Sequence, residues 1–207
     1  MATPRGAGVL VRAGRMLIAP GRTWDAVAGE MADSSGLFRR YVAPLAAIPA
    51  ICSVAGPLRF GFNIANVSLL MSPLGLLLSA IAGYALTFVA LLAAGFAVAQ
   101  ISGWFGGSRD RARALELVTY SATAMWVAGL AELYPSAGLA LGVLAWVYSL
   151  YTLYLGVTPM LGVDGERRLT AFAAMLLSVL VIWGVRGWLM ATAGALGGPL
   201  SAYTAPR

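Results

Sequence analysis

Five runs of apolar residues, each long enough to cross a bilayer as a helix, constrain this chain more than any other feature. They extend from about Val42 to Phe62, Pro73 to Gln100, Ala114 to Leu133, Ser136 to Pro159 and Leu169 to Thr192. A hydrocarbon core of ~30 Å takes about 20 helical residues. Inside lipid every backbone N–H and C=O needs a partner within the protein, so runs of this length fold as helices. With 60% of residues hydrophobic and 11% charged, the chain has too little polar surface to be solvated on all sides. The predicted fold class is therefore all-α, a polytopic membrane protein. Residues 41–192 form a five-helix transmembrane bundle, 1–40 a cytoplasmic segment with amphipathic helices, and 193–207 a short polar tail.

Charge orients the bundle. All 14 basic residues are arginine. With five spans, the amino-terminal segment, the loop holding Arg109, Arg111 and Arg113, and the loop holding Arg167 and Arg168 share one side. Arg59, Arg186 and Arg207 remain for the other. The bias predicts a cytoplasmic amino terminus and an outside carboxy terminus, in a cell inner (plasma) membrane. The net charge of +6 lies in clusters beside apolar runs. That pattern fits anionic lipid headgroups, not nucleic acid. The first forty residues are polar, so the first span is expected to act as its own insertion signal.

Between residues 5 and 18, Arg5, Arg12 and Arg15 fall on one side of a helix and Val9, Ala13, Met16 and Leu17 on another. Pro20 breaks that helix. A second is expected to start with Thr23 as its N-cap, stacking Trp24, Val27, Ala28 and Met31 on one face. The pair reads as interfacial helices in the headgroup layer, with Arg12 and Arg15 touching headgroups and Trp24 as anchor.

Within the spans, Pro44 and Pro49 predict a kinked first helix. Asn63, Asn66 and Ser68 predict a loop. Gly75, Ser79, Gly83 and Thr87 recur every four residues along span 2, a stripe that lets another helix approach closely. Gly138 and Gly142 repeat the spacing in span 4. Tyr148, Tyr151, Thr152, Leu155 and Thr158 share one side of span 4, and Tyr120, Ser121 and Thr123 on span 3 could satisfy their hydroxyls. Glu132 and Arg186 are expected near the outer surface, as a candidate ion pair or with Arg186 snorkelling alone.

The chain has no histidine and a single cysteine, Cys52, in an apolar run. The usual zinc sets and Ser-His or Cys-His arrangements cannot be built, and no catalytic, metal-binding or cofactor-binding residues are expected. The glycines of Gly103-Trp104-Phe105-Gly106-Gly107 follow no strand and precede no lysine, so they read as a turn, not a phosphate loop.

Several stretches, in order, resemble the Yip1 family, in particular its bacterial inner-membrane branch. They are Pro20…Thr23-Trp24 with Glu30, then Tyr41-Val42-Ala43-Pro44-Leu45-Ala46, then Phe105-Gly106-Gly107. After these come the run from Tyr120 to Gly129 and the run from Tyr148 to Pro159. The resemblance implies a five-helix integral membrane protein with a cytoplasmic amino terminus. Eukaryotic members are associated with vesicle trafficking and small GTPases. Their Asp-Leu-Tyr-Gly-Pro run is missing here, and that role is not carried over. The expected function is non-catalytic membrane organisation or partner binding at the cytoplasmic face. Its partners would be the bilayer, anionic headgroups, and a second copy or another membrane protein. The alternative is a small channel or transporter along the span 3/span 4 polar face.

Overall fold

The structure, a computed structural model, describes residues 8–64, 67–70, 72–196 and 201–203. Arg5, Asn66, Arg207 and residues 197–200 and 204–206 of the tail lie outside the described residues. Among the described residues, five helices are long and apolar enough to cross a membrane: Ser34–Phe60, Pro73–Trp104, Arg111–Leu133, Ala140–Leu161 and Arg167–Ala195. Each corresponds to one of the five apolar runs. The loops at 105–110 and 162–166 lie at the same end as the amino-terminal helices, here termed the arginine-rich end.

Two short helices precede the spans, α1 (Val9–Ile18) and α2 (Pro20–Ala28). The first helix ends just before Pro20, as expected, and Pro20 opens the next one, because at the first position its missing N–H would have had no partner anyway. Thr23 is therefore inside α2, not its cap. Its hydroxyl donates to the carbonyls of Ala19 (2.8 Å) and Arg15 (3.2 Å), pinning α2 to the end of α1. The two helices form a hairpin.

The first span starts earlier than the apolar run suggests. Asp33 caps α3 (Ser34–Leu37) by accepting from the Gly36 N–H at 2.9 Å. A π-helical turn (Phe38–Val42) then leads into α4 (Ala43–Phe60). The wider turn lets the Ala43 N–H reach the Phe38 carbonyl just before Pro44, which has no N–H to give. The helix thus absorbs Pro44 without ending.

The segment expected as a loop around Asn63 and Ser68 is a hairpin of β1 (Phe62–Ile64) and β2 (Val67–Leu70). β3 (Ser201–Tyr203) pairs antiparallel with β2, giving a three-stranded sheet in the order β1-β2-β3. The alternation of Phe62, Ile64, Val67 and Leu69 suits strands better than a polar loop.

Span 2 is α5 (Pro73–Trp104), 32 residues and about 48 Å long at ~1.5 Å per residue. Span 3 is segmented into α6 (Arg111–Ser121), α7 (Thr123–Ala128) and a 3₁₀ turn (Gly129–Leu133). It is the most enclosed span, flanked by α4, α5, α8 (Pro135–Leu161) and the hairpin. The last span, α9 (Arg167–Ala195), packs chiefly on α5. The small-residue stripe makes that possible. A Cβ on Gly75 would stand 2.9 Å from the Gly194 carbonyl, and one on Gly83 would stand 2.7 Å from Met190 Sδ. Of the span 4 glycines, Gly138 lies near the backbone of Ala131, whereas Gly142 faces open space.

Candidate functional site

The polar groups of this apolar chain converge where the α1–α2 hairpin meets spans 3 and 4. The amphipathic faces of the hairpin helices point at protein. Trp24 is 0% exposed and Val27 2% exposed, while Met31, expected on the same face, is 76% exposed. The Trp24 ring lies over Gly156 of α8, where a Cβ would come within 2.7 Å of it and 2.4 Å of Leu117 Cδ1. Its indole N–H donates to the Thr152 carbonyl at 3.0 Å, and its ring meets Tyr120 edge-on at 6.2 Å. The lipid anchor expected from sequence is corrected by this contact: Trp24 anchors the hairpin to the bundle. An amphipathic pattern marks an apolar face but does not say whether lipid or protein covers it.

Arg12 is corrected in the same way. Its guanidinium binds both oxygens of Glu30, at 2.9 and 3.1 Å, and donates to the Tyr120 hydroxyl at 3.3 Å. Burial opposes the charge, but Tyr120 and Glu30 outweigh it, so Arg12 is held above its ordinary value. Arg15 is exposed, as a headgroup-facing residue would be.

Each hairpin helix ends on carbonyls that lack intrahelical donors, and the bundle supplies donors to both. Tyr148 gives its hydroxyl to Leu17 O at 2.8 Å and Met16 O at 3.3 Å, closing α1. Arg113 gives N–H groups to Val27 O at 3.0 Å and to Glu30 O, closing α2, and lies 3.5 Å from Glu116. Sequence reasoning assigned Arg109, Arg111 and Arg113 to orientation alone and missed this clamp. Asp110 caps α6 through Ala112 and Arg113, so the helix begins before Ala114 and carries Arg113 on its wall. Arg111 lies over the Phe96 ring at 4.9 Å.

The expected span 3/span 4 polar face is thus divided. Tyr120, Tyr148 and Thr152 serve the hairpin. Tyr151 is 52% exposed and touches Tyr148 ring to ring at 5.9 Å. Tyr41 of the first span shares a 2.7 Å hydrogen bond with Thr123 and packs on Tyr120 at 4.9 Å. Ser121, Thr119, Ser149 and Ser102 keep buried hydroxyls without a hydrogen-bond partner among the described residues.

Glu132 and Arg186 do not form the expected ion pair. Among the described residues the ion pairs within 4 Å are Arg12–Glu30, Arg40–Asp33 and Arg113–Glu116. Arg186 binds α5 instead, donating to Gly83 O at 2.8 Å and to Thr87 Oγ1 at 3.0 and 3.2 Å. Neutral acceptors one helix away outcompete a carboxylate at the far end of span 3. No group of three or more His, Cys, Asp or Glu suited to a metal ion occurs among the described residues, and Cys52 is a buried free thiol. The chemistry this arrangement supports is recognition, of one segment of the chain by another.

A family model of the Yip1 domain matches residues 14–187, which takes in α2, its seat and most of α9. "Inner membrane protein YohC" of Escherichia coli (strain K12) is 29% identical over 185 residues, covering 80% of this chain and 92% of that protein. The protein of the same name from Escherichia coli O6:H1 (strain CFT073) matches to the same extent. No solved structure matches the chain.

Proposed function

The chain belongs to the Yip1 domain family, and on that premise we propose a non-catalytic integral protein of the inner membrane that organises lipid or gathers partners at the cytoplasmic face. The arginine-rich end is cytoplasmic in this proposal, because flanking arginines are retained on that side. The observation that carries it is the clamped hairpin. With both its helix ends capped by the bundle, the hairpin holds a second face outward: Leu10 (82% exposed) and Ile18 (87% exposed) beside exposed Arg15 and Arg22. Apolar side chains interleaved with arginines suit the boundary between acyl chains and anionic headgroups. A second copy or another membrane protein is the competing occupant.

The test places a photo-crosslinking residue at Ile18, Arg22 or Trp24 in native membranes. Adducts to lipid or to another chain are expected from Ile18 and Arg22, and none beyond the chain itself from Trp24. Silence at Ile18 and Arg22 would sink the proposal. Alkaline phosphatase fused after Gly107 should be inactive, and after Pro206 active; an active Gly107 fusion would reverse the orientation.

A second reading, a small channel or transporter along spans 3 and 4, draws support from the unpartnered buried hydroxyls of Ser121 and Ser149. It requires solute flux in reconstituted vesicles that Tyr148→Phe alters.

A further inference from the structure

Arg186 is held at half-depth in the bundle with part of its hydrogen-bonding capacity unspent. Two marks give its depth. At the arginine-rich end Arg111 lies over Phe96, which puts the headgroup level beside that ring. At the other end α5 begins at Pro73, behind the Ser72 cap. The stretch between them measures about 35 Å at ~1.5 Å per residue, close to a hydrocarbon core of ~30 Å. Its midpoint falls at Tyr84 and Ala85, and Arg186 bonds to Gly83 and Thr87 on either side. The side chain therefore does not snorkel to the outer surface. α5 holds it level.

The way it is held leaves one edge of the guanidinium open. Nε and Nη2 are spent on Thr87 Oγ1 and Gly83 O, and Trp183 lies 4.9 Å from the guanidinium carbon. Nη1 donates to no described residue. Glu132 acts on the charge only from beyond ion-pair distance. The side chain is partly exposed at the surface of the bundle. A charged side chain with unspent donors at this depth is expensive in lipid and draws polar groups toward itself.

We propose that the open Nη1 edge of Arg186 binds a phosphate group at half-depth, in the seam between α9 and α5. A planar guanidinium that never loses its charge matches the geometry of phosphate oxygens, and Thr87 and Gly83 fix its orientation in advance. Phosphate can come from two sources. One is a phospholipid headgroup drawn down along the exposed apolar face of α9, past Val185 and Trp188. The other is inorganic phosphate.

The test is native mass spectrometry of the full chain in mild detergent. The probes are phosphatidylglycerol, diacylglycerol with the same acyl chains, and inorganic phosphate. Wild-type protein should retain phosphatidylglycerol and release diacylglycerol. Arg186→Gln should lower retention about tenfold, corresponding to the loss of one charge-assisted contact. Arg59→Gln, at the exposed end of α4, should leave it unchanged. Displacement of the lipid by inorganic phosphate assigns the site to free phosphate as well, and failure of displacement confines it to the headgroup; phosphate is the ligand in both cases. Equal retention of diacylglycerol and phosphatidylglycerol, undiminished retention by Arg186→Gln, or no retention of any phosphate probe overturns the proposal. Arg186→Lys, which keeps the charge and loses the fork, should retain an intermediate amount. If the glutamine variant does not fold, the lysine variant and the wild-type diacylglycerol comparison decide the matter.

Discussion

The indole N–H of Trp24 donates to the carbonyl of Thr152 at 3.0 Å, joining residues 128 positions apart. Around that bond the ring fills the space left by Gly156. Trp24→Phe keeps most of the packing and loses the donor, and should lower stability in detergent by about 1 kcal/mol. Trp24→Ala empties the seat and should lower it by about 3–5 kcal/mol. The second variant should also free the helical backbone around the exposed Arg15 and Arg22, so that trypsin cuts there while the spans stay intact. Thermal unfolding and limited proteolysis check both, and wild-type behaviour from the alanine variant would refute the docked hairpin.

Two glycines of similar appearance should respond oppositely. A Cβ on Gly56 would come within 2.0 Å of the Glu132 carbonyl oxygen, whereas one on Gly142 meets nothing within 4 Å. Gly56→Ala should destabilise by about 1–3 kcal/mol through overpacking of backbone on backbone. Gly142→Ala should be neutral or stabilise by up to about 1 kcal/mol, since alanine favours the helix. Melting temperatures of the two variants, measured side by side, test the placement of the 3₁₀ turn against α4.

Charge pairs should separate in double-mutant cycles. Arg12 and Glu30 are in direct contact and mostly shielded from water, so Arg12→Gln with Glu30→Gln should show a coupling of about 1–3 kcal/mol. Glu132→Gln with Arg186→Gln should couple more weakly, because Arg186 is tied to Thr87 and Gly83. The reverse ranking would mean that the Arg186 contacts are misplaced.

The Asp33 cap should be sensitive to acid. The Gly36 N–H, and after it the Ser35 hydroxyl, hold the Asp33 carboxyl below its ordinary value. A depressed carboxyl contributes its full stabilisation above the unfolded value near ~4 and loses it as the pH falls through its lower folded value. The Gly36 amide should therefore lose exchange protection in acid, relative to an Asp33→Asn variant whose cap carries no charge to lose. Parallel exchange in the two proteins would show that the carboxylate does not hold this turn.

Much of the fold is legible because bilayer thickness and backbone hydrogen bonding leave so few options for an apolar run. The five spans and the Gly75–Thr87 stripe follow from length and spacing; the stripe does receive another helix, and the structure identifies it as α9. The site is less legible, for reasons that differ by residue. Trp24 and Arg12 show correct amphipathic placement, but no pattern within α1 or α2 encodes a cover made of residues 117–156. Arg113 sits beside two other arginines, so its local sequence reads as orientation, and only the carbonyls of Val27 and Glu30 reveal a cap. Glu132 and Arg186 invite pairing by charge alone, a rule blind to a neutral acceptor such as Thr87.

The hairpin also sets a schedule. It is the first described structure made during synthesis, yet Tyr148 and Thr152, which close and seat it, are added some 128 residues later. At ~5–20 residues per second, that separation amounts to about 6–25 s. Until span 3 brings Arg113, Leu117 and Tyr120, Trp24 and Val27 have only the membrane and the first span beside them, and the seat on α8 follows later still. The same face thus has two hosts in succession, lipid before span 3 is made and protein once spans 3 and 4 are in place.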